Sequence, residues 1–542
     1  ALREALAAGR HAAGFLAYEA GLALEPRLAP LTRPADEGAP PLVWFGLFDE
    51  REEHAAEALP RLLPDPAGAH AALPRPLIEE ADYRAAVARI LGHIEAGDVY
   101  QANFTFPAEV ALAGHPLALY AALRERARAG HGGIVFTGED WLLSFSPELF
   151  FALEGGRIAA RPMKGTARRG RDAAGDRGRA EGLAADPKQR AENLMIVDLV
   201  RNDLARVART GSVEVPALFT VETYPTVLQM TSTVTAELAR GKDAIDLIAA
   251  AFPCGSVTGA PKIRAMELLA GLERGPRGPY CGSIGWLAPE GDAAFNVAIR
   301  TLLLRQGESR ARLGLGSGIV ADSEPGAEWR ECLAKGRFVG ERPRFDLIET
   351  MRFEPGSGVA ALALHIARLE RSARELGFAF DRHAMRNELQ SATFRWREPA
   401  ALRFMLAPSG AMAVELAPLP AAPREPVEVA VAPLPVADHD FRLRHKTSDR
   451  GFYDRARQAS RRFEILFEDG AGRLTEGSFT TIFVERGGAL LTPPLGLGLL
   501  PALLRARLIA EGKAEEAVLR RADLEGGFLI GNALRGLIRA RL

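Results

Sequence analysis

The sequence predicts an α+β protein of at least two domains, and three observations carry that prediction. Strand-like and helix-like segments come in blocks and do not alternate strictly, which disfavours a doubly wound sheet. At 542 residues the chain is too long for one hydrophobic core. Near Arg342-Pro-Arg-Phe345 a proline in a charged cluster marks a linker, after which a new strand begins. The expected division is 1–340 and 341–542, with residues 1–76 forming a partial amino-terminal lobe of the first part.

Taken in order, Ala1 to Ala13 reads as a helix, and a start without Met inside a helix predicts that an amino-terminal strand has been lost. Residues 14–24 and 42–48 read as strands, and Glu50 to Pro76, rich in Ala and Pro, as a connection. A helical pattern runs from Glu79 to Ile94, and Gly97-Asp-Val-Tyr-Gln-Ala-Asn-Phe104 leads into a strand. Trp141 to Leu153 and Arg157 to Met163 flank Gly155-Gly156, a hairpin signal. A two-residue turn there sets Glu148 opposite Met163, and a one-residue bulge sets it opposite Lys164; the sequence leaves both registers open. Asp186-Pro187 pairs an N-cap with a first-turn proline and starts a helix running to about Val207. Phe345 to Phe353 opens the second domain as a strand.

Composition narrows the class. Apolar content of 47% and charged content of 25% describe an ordinary globular chain, and a net charge of −1 gives no electrostatic case for nucleic acid or an anionic membrane. Cys254, Cys281 and Cys332 are odd in number and far apart, so neither a disulfide framework nor a zinc site is implied, and a reducing, cytoplasmic setting is expected. No apolar run reaches the length of a membrane span, and no signal peptide is seen.

Only seven of the 68 basic residues are lysine. Where guanidinium meets nearly every generic need for positive charge, lysine persists where an amine is required as nucleophile, Schiff-base former or compact charge. Lys188, Lys242 and Lys513 read as surface residues, whereas Lys164 and Lys446 sit among small or polar neighbours. The helix through Glu192, Asp198 and Asp203 and the later one carrying Glu328, Glu331 and Lys335 on one face offer carboxylates from two elements, the donor set of a hard cation such as Mg²⁺. Cys254-Gly-Ser-Val-Thr-Gly-Ala-Pro-Lys262 and Gly314-Leu-Gly-Ser-Gly318 allow close backbone approach to a ligand, without the spacing of a P-loop or dinucleotide fingerprint.

These segments stand in a recognisable order with Ser146-Pro-Glu148, Arg161-Pro-Met-Lys-Gly-Thr166, Tyr280-Cys-Gly-Ser-Ile-Gly285, Ala298-Ile-Arg-Thr301 and Gly316-Ser-Gly-Ile-Val-Ala-Asp-Ser323. Over roughly residues 80–340 the chain resembles the chorismate-utilising enzymes. Lys164, where anthranilate synthase component I usually has alanine, resembles the aminodeoxychorismate synthase component I branch of that family. The resemblance implies Lys164 as the nucleophile that attacks C2 of chorismate, and Glu148 as the acid for the departing hydroxyl. It implies Glu192 and Glu331 as Mg²⁺ ligands with Glu328 in support. Thr258, Tyr280, Arg300, Gly316, Gly318 and Lys335 become substrate contacts. Cys254 departs from the family's usual glycine, and the Leu-Leu-Glu-Ser-type tryptophan segment is not visible. None of the three cysteines lies in a Gly-x-Cys-x-Gly turn, so ammonia is expected from a separate glutamine amidotransferase subunit or from solution.

Downstream, Phe345-Asp-Leu-Ile-Glu-Thr350, His365-Ile-Ala-Arg-Leu369, Arg444-His-Lys-Thr447, Leu474-Thr-Glu-Gly-Ser-Phe-Thr-Thr-Ile-Phe483, Leu499-Leu-Pro-Ala-Leu503 and Gly531-Asn-Ala-Leu-Arg535 resemble the branched-chain aminotransferase-like, fold type IV pyridoxal phosphate enzymes. These include 4-amino-4-deoxychorismate lyase. The resemblance implies Lys446 as the cofactor-bonding lysine, Glu476 as partner of the pyridinium nitrogen, and Arg368 with the turn ending at Leu503 as the phosphate holders. Ala502 replaces the usual glycine of that turn. The expected activity is a fused synthase and lyase making 4-aminobenzoate from chorismate and ammonia, as a homodimer through the second domain. An anthranilate or isochorismate synthase joined to an aminotransferase-like or silent dimerisation domain is the alternative, opposed by Lys164, Lys446 and Glu476.

Overall fold

Two antiparallel sheets carry the first part of the chain. One runs Met163–Arg168, Val227–Glu237, Arg157–Arg161, Leu149–Glu154, Ala293–Asn296, Ser283–Leu287, His11–Leu16, Val43–Phe48, with Glu214–Thr223 also paired to Val227–Glu237. The other runs Gly259–Ala260, Gln101–Ala113, Arg310–Ile319, Thr301–Arg305, Asp140–Ser144, Gly133–Phe136. The computed structural model describes the chain except residues 35–37, 171, 225–226 and 341–342. Arg342, at which the expected linker begins, therefore lies outside the described residues. Two units emerge: Ala1–Leu62, Pro74–Val110 and Leu123–Val339 form one, and Leu63–Leu73, Ala111–Ala122 and Gly340–Leu542 the other.

In the first unit the core follows from alternation along strands and the apolar stripes of two sets of helices. Phe151 stacks on Phe295 at 5.3 Å, and Ile196 and Val197 of the helix Pro187–Ala205 join the same buried cluster. Against the other sheet, Tyr83 of the helix Glu80–Glu95 and Trp329 of the helix Pro325–Gly336 pack with Phe104 and Phe106. Burial of such aromatic groups contributes on the order of 2–3 kcal/mol each.

Several local expectations change. The first helix covers only Leu2–Ala7, and His11–Leu16 is a strand held between Ser283–Leu287 and Val43–Phe48. Residues 20–24, expected in a strand, form the helix Ala20–Leu24. The single strand expected from Trp141 to Leu153 is two, Asp140–Ser144 and Leu149–Glu154, belonging to different sheets; Ser146-Pro-Glu148 makes the crossing. The hairpin follows neither expected register. Glu154 faces Arg157 and Ala152 faces Ala159, but Leu149 faces Arg161, so Phe150 and Phe151 together oppose Ala160. That bulge lets two consecutive phenylalanines both be buried, which a regular pleat forbids.

The second unit has a four-stranded antiparallel sheet, Gly358–Val359, Leu347–Glu354, Ala400–Leu406, Met412–Pro418. Its core sets Leu347, Met351, Leu402 and Phe404 against Leu369 and Leu376 of the helix Leu362–Leu376. A second, mixed sheet runs Leu474–Gly477, Glu464–Glu468, Val427–Pro433, Gly536–Arg541, Phe528–Asn532, Thr481–Arg486, Ala489–Thr492, Ala514–Glu516. The mixture of helices and strands in both units is the α+β organisation read from the sequence. Among the described residues no helix is long and apolar enough to cross a membrane.

Candidate active site

Lys164 sits on a bulge. Its strand pairs with Val227–Glu237 through Met163 opposite Thr231 and then Thr166 opposite Gln229, so Lys164 and Gly165 together face Met230. Such a bulge re-aims a side chain out of the pleat. Gly165 takes φ +98°, and a Cβ there would crowd Gln189 and Met230, so glycine is required. The helix Pro187–Ala205, capped by the Asp186 carboxylate, fixes the bulge: Asn193 Nδ2 donates to the Lys164 carbonyl at 3.3 Å while its Oδ1 accepts from Ser232 Oγ at 2.6 Å. The neighbouring Glu192 thereby meets the lysine, with Oε2 3.6 Å from Lys164 Nζ.

Along Arg310–Ile319 the period of two sends Gly314, Gly316 and Gly318 to one face, while Leu313, Leu315 and Ser317 are buried on the other. A Cβ at 314 would stand 2.1 Å from the Tyr280 ring, at 316 it would meet the Phe104 carbonyl at 2.6 Å, and at 318 it would meet Lys164 Nζ at 2.7 Å. These glycines let a tyrosine, a backbone and an amine approach where any side chain would exclude them.

Glu148 occupies the crossing between the sheets. Ser146 Oγ accepts its N–H at 3.2 Å and donates to the Val297 carbonyl at 2.6 Å, and Val297 N donates back to the Glu148 carbonyl at 3.1 Å. The carboxyl is buried, and among the described residues its Oε1 has no partner. Burial pushes this carboxyl up to about 7, against the Ser256 hydroxyl, the charge of Lys164 and the Met163 N–H. A large fraction therefore holds a proton at neutral pH.

At the more open side, Lys335 Nζ lies 2.9 Å from Glu331 Oε1 and donates to the Gly316 carbonyl at 3.0 Å. Burial opposes it, yet Lys335, and then Lys164 and Lys188, hold Glu331 below the usual carboxylate range. Glu328 Oε1 accepts from Ser323 Oγ at 2.7 Å. Lys188 is bound to Asp322 at 2.7 Å and is further stabilised as a cation by Glu192 and Glu328. Glu192, Glu328 and Glu331 thus share one array of ammonium groups. Among the described residues no three His, Cys, Asp or Glu converge as a ready-made metal site. The donor set, carboxylates from two helices without thiol or imidazole, is nevertheless that of a hard cation, and lysine ammoniums now hold two of the three acids.

Among the described residues no hydrogen bond or ion pair ties the expected contacts Thr258 and Arg300 to these acids. Thr258 is fully buried, its hydroxyl donating to the Gly255 carbonyl at 3.1 Å. Arg300 takes φ +51°, a strained conformation for a side-chain-bearing residue. Burial pulls its guanidinium below its ordinary value, only Tyr224 opposes, and among the described residues no carboxylate pairs with it.

In the second unit the Lys446 carbonyl accepts from Ile348 N at 2.9 Å, which lays the lysine along the strand Leu347–Glu354 and brings Nζ 3.0 Å from Thr350 Oγ1. Burial pulls the amine down to about 7; Glu349 opposes, while Arg368, Arg450 and Arg403 assist. Glu349 is fully buried and accepts from Arg368 Nε at 2.8 Å, Arg368 Nη2 at 2.5 Å and His365 Nδ1 at 2.6 Å. Burial works against that carboxylate, but Arg368 and His365 bring it down to about 2. Glu476 accepts from Tyr453 Oη at 2.7 Å and Leu500 N at 3.3 Å, and burial pushes it up to about 7. Its loop is pinned by Glu464, whose carboxylate accepts from Ser478 N, Phe479 N, Ser478 Oγ and Thr480 Oγ1. The charge of Arg450 acts on both Lys446 and Glu476.

Comparison with known proteins then decides the family. The family pattern described as chorismate binding enzyme matches residues 1–341, well over half of the chain. The chain belongs to the chorismate binding enzymes. Residues 346–542 match the pattern of class IV amino-transferases. This chorismate binding enzyme is 42% identical over 279 residues to anthranilate synthase component 1 of Thermus thermophilus, covering 52% of this chain and 60% of that protein. It is 45% identical over 242 residues to aminodeoxychorismate synthase component 1 of Salmonella typhimurium, covering 45% of this chain and 53% of that one. The chain thus spans only half to two-thirds of the length of these relatives. The solved anthranilate synthase component I of Streptococcus pneumoniae aligns with a TM-score of 0.52 and 28% identity, over 61% of this chain and 80% of that one.

Within this chorismate binding enzyme the structure gathers Lys164, Glu192 and Gly318 at one point, couples Glu148 to Lys164 by charge, and joins Gly316, Glu331 and Lys335. Arg300 is coupled to Tyr224 and to none of those acids. In the class IV domain Arg368 faces Glu349 and the Pro501 carbonyl, two residues before the helix start at Leu503. Residues that the sequence reading passed over are Gln101, Asn193 and Ser256 in the first site, and Thr350, Glu349 and Arg403 in the second. Gln101, Ser256, Glu349 and Thr350 lie within motifs that give them no role, while the helix facing of Asn193 and the strand register of Arg403 leave no spacing signal.

Proposed function

We propose that the first unit converts chorismate and ammonia to 4-amino-4-deoxychorismate and that the second removes pyruvate from that product, leaving 4-aminobenzoate. The observation that carries the reading is Lys164: an amine aimed by a bulge to within 3.6 Å of Glu192 and against the bare face of Gly318. Its neutral form attacks C2 of chorismate through Nζ while the C4 hydroxyl leaves as water, taking a proton from Glu148. Ammonia then adds at C4 and the C2–Nζ bond breaks, returning the lysine. Glu148 with its carboxyl near 7 holds that proton at the pH where it is needed. Arg300 and Lys335 bind the two substrate carboxylates. Glu192 and Glu331, with Glu328 in support, would hold Mg²⁺, which supplies charge stabilisation beside a carboxylate. A separate glutamine amidotransferase supplies ammonia.

The class IV domain implies pyridoxal phosphate, and the residues present fit it. Lys446 carries an amine near 7, Glu476 a buried carboxyl able to pair with a ring nitrogen, and Arg368 keeps N–H groups beyond those spent on Glu349 and Pro501. The bound cofactor supplies an electron sink. Lys446 Nζ, neutral for much of its time at pH 7, takes the proton from the ring carbon bearing the amine, and Thr350 Oγ1 orients it. Arg403, opposite Thr350 on the neighbouring strand, is placed for a substrate carboxylate. Product analysis of the purified chain given chorismate and ammonium, with and without pyridoxal phosphate, tests the whole reading: 4-amino-4-deoxychorismate is expected without the cofactor and 4-aminobenzoate plus pyruvate with it. Anthranilate as the product would overturn it.

A further inference from the structure

A second cavity opens on the sheet face that carries the glycine row, away from Lys164. It encloses about 80 Å³ between the strands and the segment 272–280. Leu303 stands opposite Arg312 on the neighbouring strand, and Arg312 precedes Gly314 by two residues, so all three share that face. Gly314 and Gly318 are four residues apart, which sets the cavity roughly 13 Å from the amine end of the row. The walls are largely apolar, with Leu77, Ile78, Pro107, Leu272 and Leu303 beside the Tyr280 ring. Three arginines also line the cavity, and two of them are engaged: Arg277 with Glu273 at 2.8 Å and Arg274 with Asp82 at 2.7 Å. Arg312, exposed at the mouth, has no carboxylate partner among the described residues. Its Nη2 donates to the Pro276 carbonyl at 3.1 Å and leaves the other N–H groups of the fork available.

We infer that this cavity binds a small aromatic monocarboxylate, with the ring among the apolar walls and the carboxylate on the Arg312 guanidinium. Size selects the ring. At roughly 10–15 Å³ for each water-sized group, the space takes about five to eight such groups, enough for one six-membered ring. Charge selects the carboxylate, because one guanidinium at the edge of apolar walls suits a single anionic group. A dicarboxylate such as chorismate would carry its second charge inward without a partner. 4-Aminobenzoate, the proposed product of the second unit, is of the class that fits; naming it rests on that reading, whereas the cavity does not. Packed contacts link the cavity to the first reaction. Its Tyr280 wall lies on Gly314, where an added Cβ would stand 2.1 Å from the ring. Glu273, also in the lining, accepts from Thr105 N and Oγ1 at 2.9 Å and pairs with Arg277, whose Nη1 donates to the Val257 carbonyl at 2.7 Å. Val257 stands between Thr258 and Ser256, the serine whose hydroxyl faces Glu148. A ring seated against Tyr280 and Glu273 displaces this turn and so slows the first reaction from outside its substrate site.

The test uses the full chain carrying Lys446→Ala, so that no 4-aminobenzoate is made during the assay. Calorimetric titration with 4-aminobenzoate should reveal a site whose affinity falls at least tenfold when Arg312→Gln is added. Aniline, the same ring without the carboxylate, should leave that site empty. Arg312 is exposed, so its replacement leaves the core intact; Leu303→Phe, which narrows the cavity without altering charge, should weaken the same site. With chorismate and ammonium, 4-aminobenzoate should lower kcat for 4-amino-4-deoxychorismate at least threefold with KM for chorismate within twofold. Arg312→Gln should match its parent without the ligand and need at least ten times as much of it for the same inhibition. A rise in KM for chorismate at unchanged kcat would put the ligand in the substrate site, and equal affinity with and without Arg312 would put it elsewhere; either overturns the assignment. Failure of the underlying reading is seen separately. A chain that makes no 4-amino-4-deoxychorismate can still be titrated with benzoate, and binding that depends on Arg312 would then uphold the cavity while removing 4-aminobenzoate as its natural occupant.

Discussion

A single nitrogen decides what the first site can do. Arginine at 164 remains protonated at any pH the protein tolerates and cannot attack carbon. Lys164→Arg should therefore abolish amination, while 4-aminobenzoate formation from supplied 4-amino-4-deoxychorismate continues; retained turnover from chorismate would remove the lysine from the mechanism. Glu148 sets the pH dependence. Its carboxyl lies near 7, so the protonated acid is lost as pH rises through that value, and the amination rate should fall about tenfold per unit above it. Glu148→Gln should lose that limb along with a factor of about 10²–10⁴ in rate. The same shift has a stability sign. A folded value raised above the ordinary 4.5 gives stability that is fully present below 4.5 and lost by about pH 7, worth up to roughly 3 kcal/mol. Glu148→Gln, which cannot ionise, should then melt higher than wild type at pH 8 and show no such gain at pH 4. Equal melting shifts at the two pH values would contradict the buried carboxyl.

Two bulges and one glycine face give these residues their positions, and they mark the limit of what the sequence disclosed. The motif strings around Lys164, Glu192, Gly316 and Lys446 were legible because the chemistry they imply demands those residue types. The direction of the bulges was not: the hairpin around Gly155-Gly156 fits any of three registers until Phe150 and Phe151 are both seen to be buried. Gln101 was invisible for a related reason, since a strand glutamine becomes notable only when neither end finds a partner. Along Arg310–Ile319 the glycines make a graded prediction. At Gly318 an added Cβ meets the movable end of Lys164 at 2.7 Å, so Gly318→Ala should fold normally and lose amination by at least about 100-fold through a displaced nucleophile. At Gly314 it meets the Tyr280 ring at 2.1 Å, which cannot step aside, so Gly314→Ala should cost about 1–3 kcal/mol of stability. Thermal melts and steady-state rates on the two variants separate the cases; a Gly318→Ala enzyme of normal rate would mean that Lys164 works from elsewhere.

At the scale of the chain, the α+β class could be read from patterning, while the assignment of 63–73 and 111–122 to the second unit could not, because short surface segments carry no periodicity that says which core they join. The residues to which the two proposed activities are assigned fall in different units, which makes those activities separable within the intact protein. Lys446→Ala removes the amine but leaves Glu349 bound to Arg368 and His365, so the pocket loses one titrating group without losing its buried ion pair. Given chorismate, ammonium and Mg²⁺, this variant should accumulate 4-amino-4-deoxychorismate at the wild-type rate and release no 4-aminobenzoate. Bound cofactor should also lose the borohydride-sensitive absorption that a lysine linkage confers. Chelation of Mg²⁺ should produce the mirror result, because Glu192 and Glu331 belong to the first unit alone: chorismate is left untouched while supplied 4-amino-4-deoxychorismate is still split. Chromatography of the products resolves both experiments. 4-Aminobenzoate from the Lys446→Ala chain would place the second reaction on another base, and amination that persists in chelator would release Glu192 and Glu331 from any metal.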